Sequence, residues 1–258
     1  MLVVRRFYFR RGKMLAFLNE LKEADDAAKS LYIPAGLSLQ QIAGLTEKVD
    51  PGNMAPQMSE LAASSKTGAV IFWSQLQRYL VTPPFPIIEE RLDHGFVVKP
   101  LSSLLSYDFQ IALIFIRLGA YAIGLCQGES LVASKVGTGN IHARHRQGGS
   151  SQMRFQRHRE KQIESFLIRA CSHIQEILQP EAESVDYIVY GGARMTILLL
   201  RKRCLFLRQF DDRNLPALLD IAEPRQQVLE KAVGHIWSSS VIEWHDDTMT
   251  DQTNKSSR

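Results

Sequence analysis

Three apolar segments, at residues 109–116, 120–126 and 130–136, follow one another with only tight turns between them. Arg117-Leu118-Gly119 and Gln127-Gly128-Glu129 are the whole of the connections. A crossover between parallel strands takes a dozen or more residues, so these three can only be antiparallel neighbours. The longest unbroken apolar stretch, residues 111–116, suits a strand. It falls far short of the roughly 18 residues a membrane span needs, and no membrane partner is expected.

The segment after the meander limits the fold further. Residues 137–151 hold four glycines and almost nothing apolar. A segment that cannot bury itself is expected to be an exposed, mobile loop. It runs into a helix on which Ile163, Phe166, Leu167, Ala170, Ile174, Ile177 and Leu178 form one apolar stripe that must face a sheet. The two turns before that stripe, residues 152–161, are polar and basic, so the helix is expected to extend past its core contact. Pro180 ends it. A buried strand over 185–190, a Gly191-Gly192 turn, a helix through Arg203, an amphipathic helix over 222–237 and a short strand over 241–244 complete this half.

The first hundred residues alternate helices and strands. Met14, Leu15, Phe17, Leu18, Leu21 and Ala24 predict a helix over 12–28, and Leu31-Tyr32-Ile33 a strand closed by Pro34 and Gly36. Ser38 caps a helix carrying Ile42, Leu45 and Val49; Met54, Met58, Leu61 and Ala62 mark another. Strands follow at 69–73 and 78–81. Pro83, Pro84, Pro86 and Pro100 predict a linker across 83–105. The expected organisation is α+β: a small N-terminal α/β domain with linker (1–100), a second domain (101–246), and a disordered polar tail (247–258).

Composition is that of a globular chain, 45% hydrophobic and 22% charged, so the placement of charge is what informs. The net charge is +4, yet residues 139–161 alone carry +5, from six Lys/Arg and Glu160. Arg5, Arg6, Arg10, Arg11 and Lys13 make a second cluster. Both a solvated basic surface and one that binds a polyanion, nucleic acid first, fit this pattern. Cys126, Cys171 and Cys204 are far apart and form no CxxC pair, which reads as small core residues in a reducing compartment, without zinc knuckle or disulfide framework. Trp73, Trp237 and Trp244 read as core. No secretory signal is evident in the N-terminal MLVVRRFYFRR, and the expected location is cytoplasmic.

The basic segment contains Gly148-Gly149-Ser-Ser-Gln152, then Met-Arg154-Phe155-Gln-Arg157-His158-Arg159-Glu160-Lys161. Paired glycines open backbone angles closed to other residues. A neutral glutamine brings a backbone N–H, an amide donor and an acceptor without the desolvation cost of a charge. This string resembles the Gly-Gly-Gln loop and following helix of the class-1 translation termination factors of eukaryotes and archaea. The glutamine here comes two residues later than in that loop. In this it is similar to the Vms-like release factor (VLRF) group, and above all to its actinobacterial-type members. Upstream, Tyr32-Ile-Pro-Ala-Gly36 and Gly68-Ala-Val-Ile-Phe72 resemble the N-terminal domain of archaeal termination factors.

The resemblance implies a release-factor central domain, a ribonuclease H-like mixed sheet with a long helix and a mobile Gly-Gly-x-x-Gln loop. It implies a peptidyl-tRNA hydrolase that needs no cofactor or metal, with Gln152, Gly148 and Gly149 as catalytic residues. Arg144, His145, Arg146, Arg154, Arg157, Arg159 and Lys161 are then the RNA contacts, to the rRNA of the large ribosomal subunit and to peptidyl-tRNA. The family's Asn-Ile-Lys-Ser codon-reading motif has no counterpart in 37–68, where Lys48 and Lys66 are the only cations, and no domain for a partner GTPase is evident. Stop-codon-independent release on stalled ribosomes or large subunits, in ribosome quality control, is the function implied. A non-catalytic, hibernation-type ribosome-binding factor is the alternative. A nuclease using Asp108, Glu129 and Asp186, zinc held by His142, His145 and His158, and a serine hydrolase built on Ser150 or Ser151 are weaker readings of the same residues.

Overall fold

The computed structural model describes residues 2–21, 27–141, 150–216, 218 and 221–246. In chain order the elements are β1 (Leu2–Phe9), α1 (Arg11–Glu20), β2 (Lys29–Ile33), α2 (Leu39–Thr46), α3 (Ala55–Ala63), β3 (Ala69–Trp73), β4 (Arg78–Thr82) and β5 (Arg91–His94). They continue with α4 (Lys99–Ser106), β6 (Gln110–Arg117), β7 (Ala120–Gln127), β8 (Ser130–Thr138), α5 (Ser150–Leu178), β9 (Tyr187–Gly192), α6 (Arg194–Arg203), α7 (Gln226–Ile236) and β10 (Ser239–Asp246). The chain divides into two compact units, one formed by residues 1–107 and 235–258, the other by residues 108–234.

The first unit is a six-stranded sheet in the order β1-β10-β4-β3-β2-β5, antiparallel at every pairing. β3 is buried at all five positions because both faces of the sheet are covered. Val70, Phe72 and Val241 pack with α1 and α4 on one face, and Ile71, Leu80 and Ile242 with α2 and α3 on the other. Ser38 caps α2 as its sequence predicts: its backbone N–H donates to Gln41 Oε1 at 3.0 Å, and its hydroxyl accepts from the Gln41 N–H.

Two sequence expectations about this unit fail. The proline-rich stretch is not a linker, since Phe85, Leu101 and Leu105 are fully buried. Ser30 Oγ donates to Gly95 O and accepts from Val97 N–H, while Tyr32 donates to Val97 O at 2.6 Å, so residues 95–97 are tied to β2. The C-terminal strand does not close the second domain. β10 lies between β1 and β4, with Trp244 against Trp73 at 6.2 Å between ring centroids, so the boundary expected at 101–246 moves to 108–234. The tail expected to be disordered, 247–258, lies outside the described residues.

The second unit is a mixed sheet in the order β8-β7-β6-β9, with β6 and β9 parallel. Together with the long α5 this is the α+β architecture that the meander and helix stripe predict. β6 and β7 are each buried at six consecutive positions, as a sheet covered on both faces requires. Ile114, Ile116, Tyr121 and Ile123 point to the face covered by Phe166, Ala170 and Ile174 of α5 and by Ile197 and Leu200 of α6. Gly192 lies at φ 101°, and a Cβ there would meet Ile116 O at 2.4 Å, so only glycine makes the turn from β9 into α6.

Candidate functional site

The loop singled out by the sequence leaves the end of β8 and returns at the start of α5. Its root is fixed. Gly139 N–H donates to Gly119 O at 2.9 Å, and Arg169 on α5 donates to Thr138 O at 2.9 Å. A Cβ on Gly139 would meet Phe166 Cδ2 at 2.7 Å, so a glycine here lets the strand end lie against the helix. Residues 142–149, including Arg144, His145, Arg146, Gly148 and Gly149, lie outside the described residues.

α5 begins at Ser150, which makes Gln152 its third residue; the Gln152 side chain lies outside the described part. The first four N–H groups of a helix have no acceptor within it and stand at the positive end of the helix dipole. The Gln152 N–H is one of them. Among the described side chains of α5, Ile163 is the first packed against the core and Phe166 the first fully buried, so 150–162 run about 20 Å along the axis before the core begins.

Along that stretch the cations do not ring the helix. At about 100° per residue, Arg154, Arg157, His158, Lys161, Ser165 and Arg169 fall within an arc of about 120°. All six are exposed. Arg159 falls about 140° round from Arg154, toward the side that carries Phe166, and is half-buried. The stripe therefore unites Arg154, Arg157 and Lys161 but leaves Arg159 at its margin. Arg169 was not among the residues expected from sequence, although helical period alone puts it on this face.

The rear of α5 is held by polar contacts as well as packing. Tyr121 Oη lies 2.6 Å from His173 Nδ1, and burial raises the Tyr121 phenol pKa. Lys135 Nζ donates to both Glu176 oxygens, at 2.9 and 3.1 Å, which lowers the Glu176 carboxyl pKa. Arg203 of α6 pairs with Glu164. Cys171 and Cys204 form a disulfide, Cα atoms 5.4 Å apart, which corrects the expectation of isolated cysteines. They are 33 residues apart in sequence, and only the packing of α6 on α5 brings them together. Cys126 alone is free and buried, its thiol pushed up to about 12 by burial.

Other candidates have structural employment. Asp186 Oδ2 accepts from Gln110 N–H at 2.8 Å at the start of the β6–β9 pairing. Among the described residues no three His, Cys, Asp or Glu side chains gather as a metal site. In the N-terminal cluster Arg5, Arg6 and Arg10 are exposed. Arg11 donates to Leu105 O and Ser106 O and lies 4.4 Å from the Trp237 ring centroid; Lys13 sits over Phe9. Trp73, Trp237 and Trp244 are all buried.

The family profile described as Actinobacteria/chloroflexi VLRF1 release factor matches residues 110–242. A peptide chain release factor subunit 1 of Thermococcus sibiricus is 28% identical over 209 residues, covering 68% of this chain and 50% of its own. The corresponding protein of Aeropyrum pernix is 25% identical over 264 residues, covering 88% and 69%. The chain thus spans about half the length of the first of these relatives. Among solved structures, an archaeal translation termination factor aligns with 18% identity and a TM-score of 0.40, over 88% of this chain and 71% of that one.

Proposed function

The chain belongs to the Actinobacteria/chloroflexi VLRF1 release factor family, and from that premise we propose that it frees nascent peptides from stalled ribosomes by hydrolysing peptidyl-tRNA without reading a stop codon. The observation that carries this reading is the start of α5. Gln152 occupies the first turn of a helix whose exposed face is lined by Arg154, Arg157 and Lys161, well ahead of the helix's first core residue.

In the proposed reaction a water attacks the ester carbonyl carbon. The bond from that carbon to the terminal ribose oxygen breaks, the ribose hydroxyl takes a proton, and the peptide leaves as its carboxylic acid. Gln152 positions the water, and its N–H, unpaired within the helix, faces the charge that develops on the carbonyl oxygen. Gly148 and Gly149 give the loop the backbone freedom to enter the site. Arg144, His145, Arg146, Arg154, Arg157 and Lys161 dock on rRNA and tRNA phosphates, with Arg159 at the margin. The large subunit and its peptidyl-tRNA are the partners, neither cofactor nor metal is required, and the work is done in the cytoplasm. Among the described residues no helix is long and apolar enough to cross a membrane.

The test is peptide release from programmed ribosomes carrying each stop codon, from ribosomes with a sense codon, and from isolated large subunits with peptidyl-tRNA. Equal rates across all of them are expected. A tenfold preference for stop codons, about 1.4 kcal/mol of barrier, contradicts rescue. No release anywhere, with intact ribosome binding, makes the protein a non-catalytic binding factor of the hibernation type.

A further inference from the structure

Of the three cysteines in this chain, two meet. Cys171 lies in the packed half of α5 and Cys204 closes α6, their Cα atoms 5.4 Å apart, inside the roughly 4.4–6.8 Å that a disulfide spans. The bond is not what brings the helices together. Phe166, Ala170 and Ile174 of α5 share a core with Ile197 and Leu200 of α6, and Arg203 pairs with Glu164. Cleaving the bond leaves that packing in place, so the folded chain can exist in both states. The two sulfurs also differ in reach. Cys204 is fully buried, while Cys171 is partly buried against the same core.

A permanent disulfide is the device of secreted domains too small to build a core, and the second unit has a core of its own. In the cytoplasm thiols are kept reduced, and the disulfides that do form there are mostly transient ones that catalyse or sense redox change. We propose that Cys171 and Cys204 are a reversible thiol–disulfide exchange site, open in a reducing cytoplasm and closed by a low-molecular-weight disulfide of the glutathione type. The inference rests on the cytoplasmic reading of the function.

Closing runs in two exchanges. The Cys171 thiolate, the more reachable, attacks one sulfur of the small disulfide; that S–S bond breaks, a mixed disulfide forms, and one small thiol leaves. The Cys204 thiolate then attacks the Cys171 sulfur, the Cys171–Cys204 bond forms, and the second small thiol leaves. The two protein thiols give up two electrons and two protons, and the small disulfide becomes two thiols. The closed bond joins positions 33 residues apart and fastens the end of α6 to the half of α5 that anchors the helix, which makes the closed state harder to unfold.

The experiment equilibrates the full chain with reduced glutathione, adds glutathione disulfide from none to an equal amount, quenches in denaturant with N-ethylmaleimide and weighs the product. The open chain takes three labels and the closed chain one, on Cys126. Conversion from three labels to one is expected within the series, with the same half-point approached from either side. One label throughout means a permanent staple, since structural disulfides resist the glutathione pool, and three throughout means no exchange site; either overturns the proposal. Closure should raise the thermal midpoint by about 5–10 °C. Cys126→Ala should keep that shift, and Cys171→Ala and Cys204→Ala should each abolish it. Cys204 lies in the core, so Cys171→Ala, at the partly buried position, carries the test if the other variant folds poorly. An equal shift in Cys171→Ala overturns the assignment. The release assay keeps the readings apart. Wild type that converts as described but releases no peptide retires the hydrolase and keeps the exchange site. Wild type that releases peptide and never changes its label count retires the exchange site and keeps the hydrolase.

Discussion

The two halves of α5 obey different physics on one continuous helix. From Phe166 onward, Phe166, Leu167, Ala170, Ile174 and Leu178 are buried against the sheet, and polar contacts at His173 and Glu176 hold the outer side. From Ser150 to Ser165 no side chain is fully buried among those described, and the exposed face is basic. The rear half anchors, and its replacement should be felt as stability. The front half presents groups to a partner, and its replacement should be felt as binding or rate. A helix this long keeps its front turns formed because the rear is packed, since most helical stability in proteins comes from packing of one face.

The largest effect should come from the anchor. Phe166→Ala is expected to cost about 3–5 kcal/mol in urea-induced unfolding, the usual range for an emptied aromatic site. A loss below about 1 kcal/mol would mean that the rear half is not the anchor. Next comes Gln152→Ala, which should lower peptide release about 10²–10³-fold, as for loss of an oxyanion donor or water-positioning group. Its unfolding midpoint and ribosome pelleting should stay at the wild-type value; a drop in stability of similar size would erase the division between the halves.

Replacing Arg154, Arg157 and Lys161 together with Ala should weaken RNA binding and reduce the slope of log affinity against log salt by about 2, at roughly 0.7 per phosphate contact on a single strand. An unchanged slope would make the basic stripe a solvated surface. The smallest effect sharpens the comparison from behind the sheet, where Cys126 is buried. Its thiol pKa is raised from 9.0 to about 12 by burial, so the folded state holds the proton that the unfolded state gives up. The contribution is intact below pH 9 and is lost as pH rises from 9 toward 12, at no more than about 1.4 kcal/mol per pH unit. Urea titrations at pH 8 and pH 10 should therefore show a larger decline for wild type than for Cys126→Ala. Equal declines would mean that the thiol titrates normally.

Much of this molecule is legible without coordinates, for local reasons. The β6–β8 meander follows from turns too short for any other connection, the α2 cap from Ser38, and α5 from an apolar stripe of helical period that stops short of its basic start. The candidate loop, with Gly148, Gly149 and Gln152 beside clustered charge, stands on the sequence alone, since 142–149 lie outside the described residues. What the sequence could not determine depends on contacts between distant residues. Nothing local marks Val241 to Trp244 as the partner of β1 and β4 rather than of the nearer sheet, because strand pairing is chosen by which uncovered edge exists after folding. Four prolines suggest a linker, yet Leu101 and Leu105 share a core with Val241, and buried Phe85 meets the Trp237 ring edge-on. The Cys171–Cys204 link and the Arg169 bond to Thr138 O likewise exist only because packing sets α6 and the end of β8 beside α5. Periodicity and spacing are properties of a segment, whereas edges, cores and clefts are properties of the assembled fold.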